Sequence, residues 1–495
     1  MFDSADLEHK VDKLTYRHEV PHLRESLLNM QADLKQQGRF PVIIVIAGVE
    51  GAGKSEVANL LHEWMDPRFL VTTAFDDPTD EERERPRMWR YWRALPPKGR
   101  VGILFGAWHT EPIIARVFRR ITSSEFEKRI TEIMRFEQML ADEGTLVLKF
   151  WFHLTKKQQR KRLSALEKHA ATRWRVTKRD WKYFERFEAF EKTAVQLTRQ
   201  TSTGEAPWVV VAGADAPYRN LTVGRTILAA IRERLGDKEQ TPRADKTPLL
   251  PPVDQLTVLR ALDLDQPMTD EQYAEAREKW QGRLATLSRD AKFKRTGVVA
   301  VFEGNDAAGK GGALRRVTQA LDARLYQGIP IAAPTEEERA QPYLWRFWRH
   351  IPRLGRLALF DRSWYGRVLV ERVEGFCAEA DWMRAYGEIN DFERELVEHG
   401  LVVMKFWLAI DKDVQLKRFR EREKTSFKRF KITDDDWRNR KKWDVYEAAV
   451  CDMVDRTSTE YAPWTLVEAN NKYFTRIKVL RTMCKAIEAR FDTIG

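Results

Sequence analysis

Cysteine is scarce in this chain: Cys377, Cys451 and Cys484 are the only three in 495 residues, all in the second half, with no CxxC pair. So few thiols exclude a disulfide framework, and without metal-ligand spacing they predict no zinc site. A reducing cytoplasm is the expected setting. Long apolar runs are missing too. Stretches such as PVIIVIAGV and VVMKFWLAI reach nine residues, roughly half of what a helix needs to cross a bilayer. They predict buried strands, and no membrane partner. The opening residues MFDSADLEHK mix acids with bases and contain no apolar stretch, so no secretion signal is expected. Negative charge is also in deficit. Against 86 Lys and Arg stand 74 Asp and Glu, a formal net charge of +12, which calls for a polyanion without saying whether it is nucleic acid, anionic lipid or polyphosphate.

What the chain does have is an internal copy. Displaced by 256 residues, its halves align without a gap from Val42 to Glu233: TDEERERPRMWRYWR falls on TEEERAQPYLWRFWR, QTSTGEAPW on RTSTEYAPW, and the two KFW triplets coincide. Such a period is far too long for a solenoid and marks a tandem duplication of one domain. Between the copies, GDKEQTPRADKTPLLPPVDQ is rich in proline and charge, the composition of an exposed linker. The expected division is a diverged domain over 1–240, a linker over 241–256 and a catalytic domain over 257–495. Within each copy short apolar runs alternate with helical patterns. VVAVFEG precedes a glycine loop, and the next segment places Leu314, Val317 and Leu321 on one face. The predicted fold class is α/β, a parallel sheet flanked by helices, present twice.

The glycine loops carry the first chemistry. Gly48 to Ser55 reads GVEGAGKS, with Gly48, Gly53, Lys54 and Ser55 all in the places of G-x-x-x-x-G-K-[ST]; GNDAAGKGG puts Gly304, Gly309, Lys310, Gly311 and Gly312 in the corresponding ones. A strand, this loop and a helix together wrap phosphate oxygens in backbone N–H groups, beside the partial positive charge of the helix start and a lysine. The second loop lacks the hydroxyl that would hold Mg²⁺, so its metal must lean on carboxylates, and two stand ready: Asp306 in the loop and Asp361 at the end of LALFD. In the first copy Glu50 replaces Asp306, Phe105 replaces Asp361, Gly106 replaces Arg362 and Glu111 replaces Arg367. Trading a metal acid and two arginines for Phe, Gly and Glu removes most of the electrostatics of phosphoryl transfer. The second copy is therefore the expected catalyst, and the first loop a vestige.

A basic stretch follows KFW in the second copy, where Arg429, Phe430 and Lys431 occupy a turn between two helical segments, the place for a lid over phosphates. The first copy keeps Arg173 and Arg175 there but has Thr172 for Lys428, Tyr183 for Asn439 and Phe184 for Arg440.

With FEGNDAAGKGG, LFDRSWYGRVLVERV, KFWLAIDKDVQLKRF and DWRNRKKWDVY in this order and spacing, the chain resembles the polyphosphate kinase 2 family. That resemblance implies a P-loop kinase fold similar to thymidylate kinase. Its two-copy arrangement resembles the class that passes the terminal phosphoryl of inorganic polyphosphate to AMP. The family pattern falls on Asp306, Lys310, Asp361 and Arg362 as catalytic residues, with Mg²⁺ or Mn²⁺ on Asp361 and Asp306. Phosphate contacts are expected from the second glycine loop, Arg367, Arg440 and the lid stretch around Lys428, Arg429 and Lys431. Rival readings are a polyphosphate kinase acting on ADP or GDP, an ATP-dependent nucleoside monophosphate kinase, and a nucleic-acid-binding P-loop ATPase. Against the last stand the absence of a helicase-type second motif and the gathering of basic residues around the P-loop elements. Nothing in the sequence decides between a monomer and a homodimer.

Overall fold

The computed structural model describes residues 2, 5–236 and 258–494. The side chains of Phe427, Lys428 and Lys431 lie outside the described residues, as does the whole of the expected linker over 241–256. Two compact units result, one of Met1–Pro78, Arg90–Thr241 and Thr335–Trp345, the other of Thr79–Trp89, Pro242–Pro334 and Arg346–Gly495. Each unit thus includes a short segment from the opposite sequence half, a grouping that the linear repeat does not suggest.

The first sheet contains β1 (Val42–Gly48), β2 (Leu70–Ala74), β3 (Val101–Phe105), β4 (Leu146–His153) and β5 (Trp208–Ala212). The second contains β6 (Gly297–Gly304), β7 (Tyr326–Pro330), β8 (Leu357–Asp361), β9 (Leu401–Ala409) and β10 (Trp464–Glu468). Their orders are β2-β3-β1-β4-β5 and β7-β8-β6-β9-β10, the same topology twice, and every pairing is parallel. Helices cover both faces, so the central strands β1 and β6 are buried along all but their last residue and read as unbroken apolar runs.

Around β1, Ile44, Ile46, Leu61, Trp64, Phe150 and Ile227 form one core; Ala300, Phe302, Val317, Phe406, Leu480 and Ile487 are part of its counterpart around β6. No described helix is long and apolar enough to cross a membrane.

This topology places the site. Leaving β6, the chain emerges between β8 and β9, where the direction of winding reverses and a crevice opens beyond the carboxyl ends of the strands. The glycine loop and the start of the helix Lys310–Thr318 occupy that position in the second unit, and the loop before Lys54–Trp64 does so in the first. Glu336 to Glu338 start a short helix, with Thr335 and Glu338 forming a capping box.

Candidate active site

The second-unit loop is built by close approach. Gly304 has φ +147°, and a Cβ there would lie 2.5 Å from the carbonyl oxygen of Leu408 on β9, so only glycine lets the strand end turn under the loop. Asn305 then ties the loop to β9, its Oδ1 accepting from Ile410 N at 3.2 Å. Lys310 folds back over the loop, donating to the carbonyls of Gly304 (2.6 Å) and Asn305 (3.4 Å).

A cleft of about 110 Å³ opens beside it, lined among others by Glu303, Asp306, Lys310, Arg362, Asn439 and Tyr446. Asp306 is the hub. Its Oδ2 accepts from Asn439 Nδ2 at 2.8 Å, and Arg362 Nη2 reaches its Oδ1 at 3.5 Å, a long contact. Asn439 comes from the helix Asp434–Lys441, so this bond joins the lid region to the loop. Asp361 ends β8 and is paired in register with Phe302 of β6. It does not itself line the cleft.

Arg362 holds φ +65°, left-handed backbone that a residue with a Cβ adopts at a cost of about 1 kcal/mol or more. Ala307 in the loop is similarly placed at φ +64°. The first copy has glycine at both counterparts, Gly106 and Gly51. Strain is thus kept in one copy and relieved in the other.

Glu303 is a functional candidate that the sequence reading missed. It lies buried at the end of β6, accepting a hydrogen bond from Ser363 Oγ at 2.9 Å. Burial pushes its carboxyl above the usual range, Lys310, Ser363 and Arg362 pull it down, and the charge of Asp361 pushes it up. One signal was available: an acid ending the apolar run VVAVFEG where the first copy has Ala47.

Beside the same loop is a second cavity, about 200 Å³, lined by Gly309, Gly312, Arg418, Arg422, Lys472 and Arg476 together with a few neighbours. Buried Arg418 braces it, donating to the carbonyls of Ala307 (3.0 Å), Ala308 (3.2 Å), Ala469 (2.8 Å) and Asn470 (2.8 Å). Loss of hydration in this position lowers its pKa to about 10.

Several expected phosphate contacts are held elsewhere. Arg367 pairs with Glu371 at 2.9 Å. Arg440 donates to Lys412 O (2.5 Å) and Gln415 Oε1 (3.1 Å). Neither lines the two cavities, nor does Gly311. Arg429 lies exposed on the turn Ser426–Lys431, donating to Glu423 O at 3.2 Å. Lys428 and Lys431 share that turn, but their side chains are outside the described residues.

The segment carrying Arg362 is anchored from beneath. Trp364 Nε1 (3.0 Å) and Tyr365 OH (2.7 Å) donate to Glu393 Oε1, while Lys405 Nζ reaches Glu393 Oε2 (2.7 Å) and Thr457 O (2.6 Å). The first unit repeats the brace with Trp108, Glu137, Lys149 and Thr201. The lysine of KFW is therefore a buried structural cation in both copies, since its charge is paired with a buried glutamate and it donates to a backbone carbonyl in each.

The first unit retains the loop and engages several of the nearby charges with its own carboxylates. Lys54 donates to Gly48 O at 2.6 Å and meets Glu50 Oε2 at 3.3 Å. Glu56, where the second copy has Gly312, pairs with Arg162 (2.6 Å), Arg219 (2.8 Å) and Arg175 (3.4 Å). Phe105 stands at the end of β3 in place of Asp361.

A parallel 2-3-1-4-5 sheet with the glycine loop on its central strand, and cations gathered around that loop, defines a P-loop phosphotransferase. The chain belongs to the polyphosphate kinase 2 (PPK2) family, whose model matches residues 10–239 and again 267–493. It is 58% identical over 492 residues to a polyphosphate:AMP phosphotransferase of Pseudomonas aeruginosa and 53% identical over 492 to one of Pseudomonas syringae pv. tomato, covering 99% of each chain. A crystal structure of a P. aeruginosa protein assigned as polyphosphate kinase 2 superposes with a TM-score of 0.90 at 55% identity, over 100% of both chains.

Proposed function

We propose that the chain is a polyphosphate:AMP phosphotransferase acting in the cytoplasm, moving the terminal phosphoryl group of inorganic polyphosphate onto AMP to give ADP, with the second unit as catalyst. The observation that carries this reading is the cavity where Arg418, Arg422, Lys472 and Arg476 face one carboxylate, Glu421, a net positive lining that adjoins the loop where the first unit places Glu56. A polyanionic donor needs such a lining, and affinity for it falls as salt rises. Support comes also from the full-length identity to relatives bearing that activity in their names.

In this reading the phosphates of the donor lie against the second glycine loop. Lys310 and Arg362 offset charge on the phosphoryl in flight, and the buried brace fixes the backbone from which Arg362 projects. Asp306 positions Asn439 and Arg362 around the cleft. No group of three or more His, Cys, Asp or Glu gathers around one point among the described residues. Mg²⁺ takes one or two carboxylates and completes its shell with water and substrate phosphate. Asp361 and Asp306 are the residues that would hold it, and Mn²⁺ has the same preferences. Once bound, the ion supplies neutralisation of phosphate charge.

The test is ADP formation from AMP, Mg²⁺ and long-chain polyphosphate without ATP, run beside Asp361→Asn. Product from the parent chain alone is expected. No product until ATP is supplied would overturn polyphosphate as the donor, and full activity of Asp361→Asn would overturn the assignment to the second unit.

A further inference from the structure

The cleft beside the second-unit loop has a counterpart in the first unit, and the correspondence is complete. Each of the fourteen residues lining the second-unit cleft has its repeat partner among those lining a first-unit cavity of about 590 Å³. The first-unit cavity is thus the same cleft, enlarged from about 110 Å³. Its volume falls within the range of about 300–1,000 Å³ common to small-molecule sites.

Divergence has re-lined this cleft without closing it. Glu303, Arg362 and Asn439 give way to Ala47, Gly106 and Tyr183, and Phe105 occupies the position of the acid Asp361. A wall of aromatic rings results: Tyr183 lies 5.1 Å from Phe190 and 5.5 Å from Phe118, centroid to centroid. At the other end remain the glycine loop, Lys54 and Ser55. Six cations and four carboxylates line the whole, a surplus of two positive charges. Bare polyphosphate is a poor fit to a wall of rings and carboxylates, and Glu56 engages Arg162, Arg175 and Arg219 beside this loop. A flat heteroaromatic base stacked on the rings, carrying one dianionic phosphate toward Lys54, fits both the lining and the charge.

We propose that the first unit's cleft binds a nucleoside monophosphate and holds it without phosphoryl transfer. The loop that transfers in one copy serves in the other as a retaining site, so the chain takes up two nucleotides while turning over one. Adenylate is the probe of choice because of the function proposed above; the cleft argument itself rests on the first unit alone.

The experiment is photolabelling of the full chain with 8-azido-AMP, with and without excess AMP, followed by peptide mapping. Expected is AMP-protected label on the segment 178–190 as well as in the second unit. Ala47→Glu installs the acid that the second unit offsets with Arg362 and Ser363; with Gly106 and Ala107 in their places, the first unit leaves the new carboxylate unanswered beside the bound phosphate. It should reduce first-unit labelling by about tenfold or more and leave second-unit labelling as it was. Label confined to the second unit would overturn the inference and spare the proposed function. Label in neither unit would overturn both. First-unit label that AMP does not displace, or that Ala47→Glu does not reduce, is non-specific attachment and also overturns the inference.

Discussion

The two units share strand order, glycine loop and buried brace, yet they differ at the residues that face a phosphate. In the first, protein carboxylates engage cations at the loop: Lys54 meets Glu50, and three arginines converge on Glu56. In the second, Gly312 leaves the matching position without a side chain, and arginines line a cavity there. Strain follows the same division, since Ala307 and Arg362 hold left-handed backbone where the first unit has glycine. A scaffold can thus be kept while its function changes, because the backbone sets where the loop lies and a handful of side chains decide which anion the space around it suits.

Exchange of residues between the copies is the way to break this comparison. Lys310→Ala should have the largest effect, lowering kcat by about a thousandfold or more as charge stabilisation of the transferring group is lost. The same change at Lys54 should cost less than about tenfold. Initial rates of ADP formation measure both, and equal losses would mean that the units share the chemistry.

Next comes Arg362→Gly, which installs the first unit's residue at φ +65°. Activity should fall by about a hundredfold or more, while relief of backbone strain should stabilise the chain by about 1 kcal/mol. Opposite signs in rate and melting temperature are the expected outcome; a variant both inactive and less stable would show that the conformation is not held at a cost.

Gly312→Glu tests the polyanion cavity in a similar way. A Cβ at Gly312 would lie 3.6 Å from Arg476 Nη2, an ordinary contact, so the side chain has room. The new carboxylate should raise KM for polyphosphate by about tenfold with KM for AMP little changed. A rise in both alike would argue that the cavity is not the donor's path.

Much of this contrast was legible in the sequence. The duplication and the parallel sheet announced themselves, since strands covered on both faces must be continuous apolar runs; Asp306 and Lys310 were singled out by the loop motif, and Arg362 by comparison of the two copies and by the family resemblance. Reading which cations face the site was harder. Arg367 and Arg440 stand in charged runs and are engaged by partners four and twenty-five residues away, Glu371 and Gln415. Spacing along a chain does not encode that competition. The enlarged first-unit cleft was illegible for a related reason: each substitution there looks like a loss, and only their convergence on one volume shows that space was gained.

The smallest expected effect concerns Glu303, the buried acid that the first unit replaces with Ala47. Burial raises its pKa above 4.5 in the folded chain, so the folded state binds its proton more tightly than the unfolded state does. The stability that it contributes is present below the ordinary carboxylate range and is lost as pH rises through the folded value. Glu303→Gln keeps an acceptor for Ser363 Oγ but cannot ionise, so it lacks this slope. Relative to the parent chain, its melting temperature should improve steadily from pH 4 toward pH 7, by an amount worth about 1 kcal/mol for each unit of displacement in the parent's pKa. Ala47→Ser, in the first unit, should show no such trend. A constant offset between Glu303→Gln and the parent across this range would mean that the carboxyl ionises in the folded chain as readily as in water, and that Lys310 and Arg362 outweigh its burial.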